Sequence, residues 1–123
     1  MIIATTNFYD NYEPTKACRL ISKFVIDDLS KWYVRLSRRR FWKGSYEEDK
    51  IAAYQTLYEC LIVVSKIMAP VAPFYSEMLY RDLNGFTKKE KSVSVHLAKF
   101  PHPNESLIDK KLEARMQTAQ KIC

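Results

Sequence analysis

The densest chemistry in the chain lies in the run Trp32-Tyr33-Val34-Arg35-Leu36-Ser37-Arg38-Arg39-Arg40-Phe41-Trp42-Lys43, where basic side chains and aromatic rings are interleaved. Arginine presents a planar fork of donors that matches phosphate oxygens, and a neighbouring Phe or Trp gives an unpaired base a face to stack on. That combination is the chemistry of an RNA-binding surface. A helix end whose cations merely complement the macrodipole is the plainer alternative for any one residue; the clustering favours RNA.

Other candidate chemistry is sparse. His96 and His102 are the only histidines, sit in a proline-bounded stretch, and have no cysteine or acidic partner at metal-ligand spacing. Cys18, Cys60 and Cys123 are far apart, odd in number and without C-x-x-C spacing, so they read as reduced cytosolic thiols and suggest neither a disulfide framework nor a zinc site. Tyr54 and Tyr58 read as core rings, whereas Tyr46 lies close enough to the basic run to contact RNA. No nucleophile, base and orienting group come together in a motif, which argues against a self-contained enzyme. The sequence therefore offers no catalytic and no metal-ligating residue.

These side chains must be positioned by helices. After a weak helical pattern over Met1 to Tyr12, Glu13-Pro14-Thr15 breaks the chain, and a long helix is expected to about Arg40. Ala17, Leu20, Ile21, Phe24, Val25, Leu29, Trp32 and Leu36 fall on one face of it at helical spacing. Asp28 interrupts that stripe and needs a polar partner there. Gly44-Ser45 ends the helix, and Tyr46-Glu47-Glu48-Asp49 puts acids at the start of the next. From Ile51 to Met68 the chain is apolar nearly all round, the mark of a central helix. Pro70 and Pro73 separate it from a fourth helix through Phe74, Met78, Leu79 and Leu83, which Asn84-Gly85 should stop. A basic loop over Phe86 to Lys91 follows. Val93, Val95 and Leu97 then alternate with polar residues as a short extended segment would, and Asn104 or Ser106 can cap a last amphipathic helix bearing Ile108, Leu112, Met116 and Ala119. The first helix lacks a start signal and the last a stop signal, so the sequence reads as a piece of a longer chain.

Composition sets the frame. A chain of 123 residues with a 47% hydrophobic fraction is one domain's worth, and a formal charge of +6 favours a polyanionic partner. Two glycines and no regular train of turn signals make a β-sandwich or barrel improbable. No leader is evident at the N-terminus, and no apolar run approaches the roughly 20 residues that span a bilayer, so a cytoplasmic protein without membrane attachment is expected. The expected architecture is all-α: an up-and-down antiparallel four-helix bundle over residues 1–85, then the basic loop, extended segment and C-terminal helix over residues 86–123, forming a single domain of residues 1–123. Up-and-down order would gather Arg38, Arg39, Arg40 and Lys43 with Lys88, Lys89 and Lys91 at one end.

Asp28-Leu29-Ser30-Lys31-Trp32-Tyr33-Val34-Arg35 continuing into Arg38-Arg39-Arg40-Phe41-Trp42, then Met68-Ala69-Pro70-Val71-Ala72-Pro73-Phe74, then Ser94-Val95-His96-Leu97 with Phe100-Pro101, follow one another in an order and spacing that resembles the helical anticodon-binding domain of class I aminoacyl-tRNA synthetases. The resemblance covers essentially the whole chain. Its Trp-Tyr-Val-Arg start and Arg-Arg-Phe-Trp end look most like the isoleucyl branch; valyl and leucyl branches share the Ala-Pro and Ser-Val-His elements.

The resemblance implies a module that grips the anticodon stem and loop of a tRNA, tRNA-Ile first among candidates, within a longer ligase. There a separate catalytic domain would use ATP and Mg, with zinc a further candidate, to attach isoleucine. No cofactor is expected in this segment, and the family's His-x-Gly-His and Lys-Met-Ser-Lys-Ser signatures are absent. Lys88-Lys89-Glu90-Lys91-Ser92 mimics the second in part, but lies between helical elements. The residues expected to meet tRNA are Arg35, Arg38, Arg39, Arg40, Trp42, Lys43, Tyr46, Lys88, Lys89 and Lys91, with Phe41 a further ring available for stacking. A helical protein-interaction module, docking through the Trp32 to Lys43 face, is the competing expectation.

Overall fold

Three tyrosine hydroxyls fix the direction of the first four helical ridges in the computed structural model, which describes residues 1–43 and 45–122. The Tyr9 hydroxyl, near the end of α1 (Ile2–Asp10), donates to the Ile67 carbonyl at 2.9 Å. After a reversal at Tyr12 (φ 56°), α2 (Pro14–Lys23) starts at a proline, whose missing N–H is no loss in a first turn. The ridge then runs down to Tyr33, whose hydroxyl donates to the Ala53 carbonyl at 3.0 Å. Next, α4 (Glu48–Met68) climbs from Ala53 to Ile67, and α5 (Pro73–Thr87) descends until Thr87 meets Tyr58, hydroxyl to hydroxyl, at 3.0 Å. The bundle is all-α and up-and-down, as its short connections require, and no strand occurs among the described residues.

The second ridge is not one α-helix. Residues Phe24–Val34 form a π-helical segment, with the Arg35 N–H bonding back to the Ser30 carbonyl, and after a break at Ser37 (ψ 7°) the short α3 (Arg38–Trp42) completes it. Bonds from i to i+5 put more residues in each turn than the 3.6 of an α-helix, so the inward stripe slips in phase. Ala17, Ile21 and Leu29 are buried as expected, but Leu36 is exposed and Ser37 is buried in its place. Asp28, only partly buried, accepts a hydrogen bond from Gln120 Nε2 at 3.2 Å, which supplies the polar partner its position called for.

The core joins Ile62, Tyr80 and Val95, with Tyr58, Ala69, Leu83 and Ala98 packed around them. Helix α4 is central over its second half, where Ile62, Val64, Ser65 and Ile67 are buried; nearer its start, Ile51 and Tyr54 face outward. By length and composition α4 could cross a membrane, contrary to the expectation from the sequence; here it packs in the bundle through its second half, carrying Tyr9 and Tyr33 on its carbonyls.

Three expectations for the second half are corrected. Helix α5 runs through Asn84-Gly85 and ends two residues later, with Lys88 taking the left-handed cap at φ 51°. Asn84 instead ties down the following chain: its Oδ1 accepts from the Glu90 N–H at 2.9 Å, and its Nδ2 donates to the Glu90 carbonyl at 3.1 Å. The alternating valines form no extended strand: Val95–Leu97 is a 3-10 turn with only Val95 buried, because Glu77 Oε2 on α5 accepts from both Ser94 Oγ (2.8 Å) and Val95 N–H (2.9 Å) and curls the chain around it. Asn104 caps the 3-10 turn Glu105–Leu107, while α6 (Lys110–Ile122) is capped by Asp109, whose Oδ1 accepts from the N–H groups of Lys111 and Leu112. Phe74 and Met78 belong to α5 as expected and lie on its surface. The readings attached to Gly44 and Cys123 fall outside the described residues.

Candidate nucleic-acid interface

Around the lower end of the bundle, α3 lies against the start of α4. Phe41 is the anchor, 7% exposed, edge-on to Tyr33 (6.4 Å between centroids) and tilted against Tyr54 (5.0 Å), and its carbonyl accepts from the Tyr54 hydroxyl at 3.1 Å. It is a packing residue and offers no free face for a base, which corrects the expectation. Locking Phe41 inward turns the next residue outward: Trp42 is 71% exposed. Tyr46 is also exposed, its ring covered on one side by the Lys50 ammonium 5.1 Å from the centroid.

The cations divide into committed and free ones. Arg40 grips Asp49, and that hydrogen bond holds its guanidinium above its ordinary pKa. Arg35, Arg38, Arg39 and Lys43 are exposed, and none forms an ion pair among the described residues. They lie on either side of Trp42 in the sequence, with no carboxylate paired to them among the described residues.

The second basic cluster reaches the same end only in part. Lys89 Nζ lies 5.2 Å from the centre of the Tyr58 ring, and Tyr58 follows Tyr54 by one turn of α4, about 6 Å of rise. Lys88 caps α5 next to it. Beyond Lys89 the chain turns back: Glu90 pairs with Lys66 at 2.8 Å, two turns and about 12 Å further up α4 than Tyr58, so Lys91 sits on the returning strand of chain, away from the arginines. Tyr54 and Tyr58, expected to be core rings, are partly exposed and form the step between the two clusters. That step was hidden in the sequence because an apolar helix of this length looks buried all round.

The other motifs have structural work. Glu90 fixes the Lys88 to Ser92 segment to α4 and α5. His96 is exposed, and its backbone N–H donates to Ser94 Oγ at 3.2 Å. Cys18 and Cys60 line different hollows, and burial pushes the Cys60 thiol pKa up. Among the described residues no three His, Cys, Asp or Glu side chains come together as a metal-ligand group. At the opposite, upper end an apolar groove of about 420 Å³ runs between α2, α4 and α5, lined by residues including Ile21, Val25, Leu61, Val64, Val71 and Tyr75.

The family model described as the anticodon-binding domain of tRNA ligase matches residues 1–123. An isoleucine–tRNA ligase of Bacteroides fragilis is 62% identical over 114 residues, which is 93% of this chain and 10% of that protein. One of Cytophaga hutchinsonii is 60% identical over the same share of each, and one of Thermus thermophilus is 42% identical over 99% of this chain and 12% of its own length. The chain thus spans about a tenth of the length of these relatives.

Proposed function

The chain belongs to the anticodon-binding domain family of tRNA ligases, and from that premise we propose that it grips the anticodon stem and loop of tRNA-Ile for an isoleucine–tRNA ligase. The observation that carries this reading is the set of unpaired cations, Arg35, Arg38, Arg39 and Lys43, on either side of the outward-facing Trp42 in the sequence. The arginines and lysine engage phosphates; Trp42 and Tyr46 offer faces to unpaired bases; Lys88 and Lys89 hold the backbone across the Tyr54–Tyr58 step, and Lys91 adds long-range attraction from further up. Arg40 contributes mainly by fixing α3 on α4. In the longer protein, isoleucine activation with ATP and Mg falls to a separate catalytic domain, in the cytoplasm. The apolar groove at the upper end favours contact of this module with that domain, by hydrophobic burial rather than charge.

Charge reversal at the two ends tests the reading. Arg38→Glu with Arg39→Glu should weaken binding of an anticodon stem-loop RNA, measured by fluorescence anisotropy, and flatten its salt dependence by about 0.7 to 0.9 in log–log slope per lost phosphate contact. Lys16→Glu with Arg19→Glu, on α2 at the other end, changes net charge equally and should do much less. Equal losses from the two pairs would show that binding is diffuse.

A further inference from the structure

Phe86 is 94% exposed, more so than Trp42 or Tyr46, although it sits within a helix. A benzyl ring left in water forgoes the hydrophobic stabilisation that its burial would contribute. The ring occupies the last turn of α5, and that turn is held firmly. Thr87 Oγ1 donates to the Leu83 carbonyl at 2.9 Å and meets the Tyr58 hydroxyl; Lys88 closes the helix; Asn84 clamps the chain at Glu90. The side chain is therefore presented outward by a fixed backbone. Beside it in sequence stand Lys88 and Lys89, the latter with its ammonium over Tyr58, where it keeps N–H donors for an incoming phosphate.

Resting on the RNA-binding reading above, we propose that Phe86 is a second stacking platform, taking an unpaired nucleobase while Lys88 and Lys89 hold the adjoining phosphates. Aromatic and basic side chains thus stand together twice in this chain, at Arg39, Trp42 and Lys43 and again at Phe86, Lys88 and Lys89, the combination that binds single-stranded nucleic acid with little regard to sequence. A double-stranded stem offers no free base face, so Phe86 discriminates for the loop over the stem.

The test compares Phe86→Ala, Phe86→Leu and Phe86→Tyr with the parent chain against two RNAs, an anticodon stem-loop and a fully paired duplex of similar charge. Phe86→Ala should lose roughly tenfold in stem-loop affinity, with an unchanged salt slope, because no phosphate contact is removed, and unchanged duplex binding. Phe86→Leu should stay weak despite its bulk, while Phe86→Tyr restores binding. Circular dichroism checks that the helices persist. Full affinity in Phe86→Ala or Phe86→Leu, or an equal loss on the duplex, overturns the proposal, the first leaving the ring free for a protein partner. If stem-loop binding responds to Arg38→Glu with Arg39→Glu but not to Phe86→Ala, this inference fails alone; if the parent chain binds no stem-loop, the RNA reading fails with it.

Discussion

Arg40 donates from Nε and Nη2 to the two carboxylate oxygens of Asp49, at 2.8 and 2.7 Å, and Nη2 also reaches the Asp49 carbonyl at 3.1 Å. One residue of an arginine triplet is thereby turned back on its own fold, bridging α3 to the first turn of α4, while its neighbours Arg38 and Arg39 remain open to solvent. Planar fork-to-carboxylate pairing is the geometry that distinguishes arginine from lysine. The triplet is one staple and two free cations, and the two kinds respond differently to mutation.

Asp49→Asn should release Arg40. The freed guanidinium adds a cation to the patch, so stem-loop affinity should rise and the salt slope steepen by about 0.7 to 0.9. Arg40→Ala, in contrast, should leave that slope where it is. Titrations at several salt concentrations decide; an unchanged slope in Asp49→Asn means that Arg40 lies outside the reach of the RNA.

The link between Asp28 and Gln120 makes a separate prediction. It is the contact that closes α6 onto the π-helical segment, together with the Trp32 indole N–H directed at Met116 Sδ, 2.9 Å away. Asp28→Ala should destabilise the fold by about 1 kcal/mol, the worth of a typical side-chain hydrogen bond. Gln120→Ala should cost a similar amount, and the double mutant should lose less than the sum. Strict additivity in urea unfolding means that the two side chains do not interact.

Glu77 links stability to pH. Burial opposes its charge, but hydrogen bonds from Ser94, the Val95 N–H and Arg81 outweigh it and hold the carboxyl below the ordinary value of 4.5. A depressed folded pKa contributes stability above the unfolded value and loses it as pH falls through the folded one. Glu77→Gln should therefore be less stable than the parent at pH 7, with the gap closing as the medium is acidified below about pH 4. A gap that stays constant from pH 7 to pH 3 removes Glu77 as the source.

How much of this was legible in the sequence depends on the range of the interaction. Helix periodicity, Pro14, Pro70 and Pro73 gave the four ridges and their order, because those signals are local. Interactions set by packing were not visible. The π-helical slip moved Leu36 out and Ser37 in, and Glu77 turned the Val93 to Leu97 alternation into a 3-10 turn from 18 residues away. At the candidate interface the basic run was plain, but which ring faces which way was not: Phe41 went inward, Tyr54 turned outward, Tyr58 divides between core and surface, and Phe86, two residues before Lys88, was passed over as loop. Aromatic residues fit both a core and a binding face, so composition alone does not sort them.

The two tryptophans give an optical test of where RNA sits. Trp42 is exposed at the basic end, while Trp32 lies more than two turns earlier on the same ridge, partly buried, with its indole N–H on Met116. A base stacked on Trp42 should quench its emission, and Trp32 should be spared. Adding stem-loop RNA to the parent chain should therefore quench part of the fluorescence, and Trp42→Phe should abolish most of that change while retaining much of the affinity, since a phenyl ring still stacks. Met116→Ala should shift the Trp32 emission without altering RNA binding. Quenching that persists in Trp42→Phe places the RNA against Trp32 and the α6 contact instead, in which case the arginines act from a distance and the basic end is not the docking surface.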